Sequence, residues 1–142
     1  MRLLLDENVP IQLVAGLSCI VPAHVVDHLD DLGWKGKKDR FLLADAASAG
    51  YQGIVTIDRR QLDDPTELRA IKAAGIHHIT FTQDHGVAGL ARSIGALIAA
   101  MPAIAAELVA ADGQRLIRVR ALKNNRRHET IDPRKDPPPY WR

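Results

Sequence analysis

The strongest constraint in this chain is where its short apolar runs stop. Arg2-Leu3-Leu4-Leu5 ends at Asp6, and Gly53-Ile54-Val55-Thr56-Ile57 ends at Asp58. Both runs read as buried strands. Helical spacing alternates with them. Pro10 stands where a helix opens, and Leu13, Val14 and Leu17 continue it. His24 to His28 reads as a second strand, and Asp30 to Lys38 is a polar loop holding Gly33 and Gly36. Asp39 heads a helix with Leu42, Leu43 and Ala46 on one face and Gly50 as its stop. Asp63-Asp64-Pro65-Thr66 opens a third helix that Gly75 closes. His77 to Thr82 is a fourth strand. Val87 to about Ala110 is a long helix that Pro102 kinks or divides, and Gln114 to Ala121 is a final half-exposed strand.

This alternation predicts an α/β three-layer sandwich, with a mainly parallel central sheet between helices. It leaves an antiparallel strand open at one edge. The expected domain spans 1–122, followed by a basic, proline-rich tail over 123–142. Charge divides in the same way. Residues 1–111 hold ten Lys/Arg against thirteen Asp/Glu, and residues 112–142 hold nine against four. A basic tail is either a solvated extension or a lure for a polyanion such as RNA. The apolar part of the N-terminal run is too short for a signal peptide. Ile94 to Ala111 is Ala-rich and contains Pro102 and Glu107, which predicts a buried helix and no membrane span. The single cysteine, Cys19, fits a cytoplasmic protein. The long helix has enough apolar surface to make a homodimer a reasonable expectation.

In an open parallel sheet, ligands bind beyond the carboxyl ends of the strands. Asp6 and Asp58 each stand just past a strand, and Asp39 opens a helix after the second strand. All three are expected on one edge. Taken singly, each has an ordinary use: a turn residue for Asp6 or Asp58, an N-cap for Asp39. Taken together, three carboxylates repel unless a cation joins them. Magnesium or manganese suits such hard oxygen donors. A metal there would acidify water and offset the charge that builds on a phosphodiester.

Three segments carry a resemblance in this order and spacing: Leu4-Leu5-Asp6-Glu7-Asn8-Val9-Pro10, then Gly36-Lys37-Lys38-Asp39-Arg40-Phe41, then Val55-Thr56-Ile57-Asp58. Over roughly residues 1–85 the chain resembles the PIN-like domains of small bacterial proteins, related to VapC-type toxins of toxin–antitoxin systems. The resemblance implies a metal-dependent ribonuclease, with Asp6, Asp39 and Asp58 as catalytic metal ligands and Asn8 and Thr56 orienting them. It also implies RNA as substrate and a cognate antitoxin protein as partner. Arg60 and Gln61 stand where the family commonly has a further aspartate and an aromatic. A positive group at Arg60, with Arg59 beside it, would contact phosphate. Asp84, past the fourth strand, reads first as the N-cap of the long helix and second as a replacement fourth carboxylate. Lys35, Lys37 and Lys38, just before Asp39, are placed to hold an RNA backbone.

Two other readings compete. One is a PIN-like protein that binds RNA or its antitoxin with a weakened site, on the strength of Arg60. The other is a receiver-like phosphoacceptor domain using Asp6, Glu7 and Asp58, with Thr82 and Lys123 after later strands.

Overall fold

The computed structural model describes residues 1–122; the tail 123–142 and the side chain of Asp39 lie outside the described residues. The described elements are β1 (Arg2–Leu5), α1 (Leu13–Ile20), β2 (Val25–His28), α2 (Asp39–Ser48), β3 (Gly53–Thr56), α3 (Pro65–Ala74), β4 (His77–Thr80), α4 (Gly86–Ala110) and β5 (Leu116–Arg118). Two 3-10 turns, Leu29–Leu32 and Arg59–Leu62, follow β2 and β3.

The strands form one sheet in the order β2-β1-β3-β4-β5. Every neighbouring pair is parallel. The last strand is therefore not antiparallel. The reason is α4, a 25-residue crossover that carries the chain back before β5 begins. A parallel neighbour needs just such a long return connection.

Helices cover both faces. α1 and α4 pack with Leu3, Leu5, Val26, Val55 and Ile79 on one face. α2 and α3 pack with Leu4 and Ile54 on the other. Burial on both faces explains why the strands are apolar runs and do not alternate. Leu3, Leu4 and Leu5 are wholly buried, and each such side chain contributes about 2–3 kcal/mol.

α4 is long and apolar enough to cross a membrane by length and composition alone. It packs Ala96, Leu97, Met101, Ile104, Ala105 and Leu108 into the core, leaving Val87 and Val109 as exposed large hydrophobics. Pro102 does not divide it. That residue lies on the exposed face, where the carbonyl it cannot bond can meet water. Buried residues on both sides, Leu97 and Met101 before it and Ile104 and Leu108 after it, keep both halves packed in the core as one unbroken helix.

Candidate metal centre

Strand order reverses between β1 and β3. The chain leaves β1 toward β2 on one side, and runs from β3 to β5 on the other. In open parallel sheets a crevice opens at such a point, beyond the carboxyl ends of the strands. Asp6 continues β1 by one residue, its N–H donating to the Val55 carbonyl at 2.9 Å. Its side chain is only 4% exposed. Oδ1 accepts from the Glu7 N–H at 2.8 Å, and Oδ2 accepts from the Thr56 hydroxyl at 2.7 Å.

Thr56 is completely buried at the end of β3. A hydroxyl has one proton to give and lone pairs to receive. Its proton goes to Asp6, and its oxygen accepts the Asp58 N–H at 3.1 Å. One hydroxyl thus fixes both aspartates. Asp58 turns Oδ1 back to the Arg60 N–H at 2.9 Å. Its Oδ2 has no hydrogen bond among the described residues, and the side chain is 28% exposed.

The head of α2 is tethered to the same edge. Glu7 Oε2 accepts the Gly36 N–H at 2.9 Å. Gly36 has φ 75°, a conformation that side-chain-bearing residues rarely adopt. This turn delivers Lys38 as the N-cap and Asp39 as the first residue of α2. Asp39 is therefore not the N-cap.

Two buried histidines brace the loops. His28 Nε2 donates to the Val9 carbonyl at 2.8 Å, and its Nδ1 accepts the Asp30 N–H at 3.1 Å. This joins the end of β2 to the segment after Asp6. His78 Nε2 meets Gln61 Oε1 at 3.0 Å inside the protein, holding the 3-10 turn that follows Asp58. Burial pushes the His78 pKa down to about 4. The bracing roles of Glu7, His28, Gln61 and His78 were not legible in the sequence. Adjacency to Asp6 and Asp58 was the available signal for Glu7 and Gln61.

The remaining candidates divide. Lys35 and Lys38 are exposed in the loop before α2. Lys37 pairs with Asp45 and lies 4.9 Å from the Trp34 ring centre, so it is committed to holding that loop. Arg60 is 91% exposed, with Nε 3.5 Å from Asp58 Oδ1. Arg59 reaches toward β4, its Nη1 3.4 Å from the Thr82 hydroxyl. Asn8 is exposed; the bonds described on Asp6 come from Glu7 and Thr56.

Asp84 does not cap α4, which begins at Gly86 with His85 in the cap position. Its N–H goes to Ser93 Oγ at 3.2 Å, and its carboxylate lies 3.7 Å from Arg92. Close packing of this turn on α4 requires Gly89, where a Cβ would stand 2.7 Å from Asp84 backbone and Cβ atoms.

Among the described residues no three His, Cys, Asp or Glu side chains gather as a metal set by themselves. The carboxylates of Asp6 and Asp58 flank the switch point, and magnesium commonly binds through one or two carboxylates plus water and phosphate. The donor chemistry therefore fits magnesium or manganese, with Asp39 at the adjoining helix head.

A family model described as a PIN-like domain matches residues 1–83, from β1 through the end of β4. No curated protein and no solved structure matches the chain. The matched span contains Asp6, Asp39, Thr56 and Asp58. Asp84, α4 and β5 lie beyond it.

Proposed function

The chain belongs to the PIN-like domain family, and from that premise we propose that it is a metal-dependent ribonuclease. The observation that carries this reading is the Thr56 hydroxyl, which joins Asp6 and Asp58 across the β1/β3 switch point. Asp6 and Asp58, with Asp39, would hold magnesium or manganese. When bound, such an ion supplies Lewis acidity, activating water and offsetting charge on the phosphodiester. Thr56 and the Glu7 amide keep the Asp6 carboxylate in one orientation. Arg60 and the exposed Lys35 and Lys38 attract and hold the RNA backbone. The reaction is hydrolysis of one P–O ester bond.

Pairing with a protein antitoxin is the finer part of the proposal. The resemblance to VapC-type toxins supports it. Expression of the chain alone should arrest growth, and expression of the Asp6→Asn variant should not.

Arg60 favours one alternative, a site that binds RNA without cutting it, because its guanidinium competes for Asp58. Incubating single-stranded RNA with the protein and manganese separates the two. Cleavage that needs the ion and is lost in Asp6→Asn supports the nuclease. RNA binding with no cleavage, together with no manganese uptake at millimolar concentration, supports the alternative.

A further inference from the structure

A furrow leaves the crevice on the β4 side. Its first part, a cavity of about 490 Å³, begins with Ile57 and Arg59, the residues on either side of Asp58. It continues over Thr82, Gln83 and Asp84. A second cavity of about 520 Å³ shares Thr82 and Asp84 and reaches the segment that follows β5, at Val119, Ala121 and Leu122. Its floor is apolar, from Phe81, Ala96 and Val119, and Arg92 and Asp84 stand in its wall. Both volumes lie in the range of about 300–1,000 Å³ that small-molecule sites occupy.

These walls suit one chemistry. The apolar floor accepts a flat ring. Arg92 offers a planar cation that can stack on a base or pair with phosphate. The Asp84 carboxylate offers only acceptors, so it selects an edge that donates, such as the exocyclic amino group of cytosine. Gly89 and Ser93 fix Asp84 from behind: a Cβ at Gly89 would collide with it, and Ser93 Oγ accepts its N–H while donating to the Gly89 carbonyl at 3.0 Å. Arg59, bonded to Thr82, lines the route from Asp58 to this cavity.

We infer that the furrow carries the RNA strand away from the Asp6/Asp58 crevice, and that the β4/β5 cavity seats one base bearing an exocyclic amino group against Asp84 and Arg92. The inference rests on the ribonuclease reading for its substrate class, and it assigns base preference to residues outside the metal centre.

The test uses the full chain with chelator present at low salt, so that cleavage cannot interfere. Fluorescence anisotropy compares octamers of cytidylate and uridylate. The native chain should bind the cytidylate octamer about tenfold tighter, the scale of one base-edge contact. Asp84→Ala removes the acceptor and frees Arg92, so total affinity should hold or rise while the preference falls to within about twofold. Ala121→Trp fills the cavity from an exposed position outside any helix or strand, and it should also abolish the preference. Equal binding of the two octamers by the native chain, or a preference that survives either substitution, overturns the assignment. Absence of the preference in the native chain, when that chain still shows manganese-dependent cleavage, overturns the subsite alone. A preserved preference without cleavage supports the subsite and overturns the nuclease reading alone.

Discussion

Two polar clusters sit at opposite ends of β1, and they are built differently. At its start, Arg2 Nη2 lies 3.3 Å from Asp27 Oδ2, and the Tyr51 hydroxyl donates to the same oxygen at 2.7 Å. The Arg2 guanidinium stacks 4.4 Å from the Tyr51 ring centre and donates to the Ala49 carbonyl. Burial, and then the bond to Asp27, push the Tyr51 pKa up to about 12. One anion meets one cation and one hydroxyl, so the charge is closed within the fold. At the other end, Asp6 accepts from the Glu7 amide and the Thr56 hydroxyl, and Asp58 Oδ1 accepts the Arg60 N–H at 2.9 Å with the Arg60 guanidinium 3.5 Å away. Amide and hydroxyl donors fix the orientation of these carboxylates, and the one cation described beside them, Arg60, is 91% exposed. The first arrangement stabilises a fold. The second is the one to which the proposed reading assigns a metal ion.

The largest effects should separate the two clusters. Asp58→Asn should lower manganese-dependent RNA cleavage by at least about a hundredfold, since even outer contacts on a metal site are worth 10–100-fold. Its unfolding free energy should change by less than about 1 kcal/mol, because the side chain is partly exposed. Asp27→Ala should do the reverse, costing about 2 kcal/mol in urea unfolding with cleavage within twofold. If the two variants exchange these signatures, the distinction is broken.

A pH scan adds a purely structural case. The His78 pKa is depressed in the fold by burial, while an unfolded histidine takes its proton near pH 6.5. The unfolded chain therefore binds the extra proton first. The native state keeps its full advantage above about pH 6.5 and loses it as pH falls toward 4. Unfolding at pH 5 should cost about 2 kcal/mol less than at pH 7. Flat stability across that window would show that His78 is not held as described.

The edge that carries the candidate site was legible because a parallel sheet turns strand ends into site positions, and an aspartate follows the end of β1 by one residue and the end of β3 by two. The braces were not legible. Glu7 reaching Gly36 and His78 reaching Gln61 are contacts between distant segments, which no local spacing encodes. At Pro102 local propensity predicts a kink or a division, and the buried residues on both sides keep the helix undivided. The edge strand's direction depended on how far α4 carries the chain. Asp84 read as a cap because a serine nine residues on, not its own side chain, organises that turn.

Smaller effects sharpen the comparison. Thr56→Val should lower cleavage about tenfold by releasing both aspartates, and Thr56→Ser should restore most of it. Equal activity in all three proteins would remove the bridging role. Tyr51→Phe should cost about 1 kcal/mol of stability and leave cleavage unchanged, as a paired unfolding and activity assay would read.

The most direct test is paramagnetic broadening by manganese, followed through the backbone amide resonances of the full chain. Broadening should centre on Asp6, Thr56 and Asp58 and spare Asp27 and Tyr51, and it should vanish in Asp6→Asn. Broadening centred on the Arg2 cluster, or none at millimolar manganese, would contradict the account.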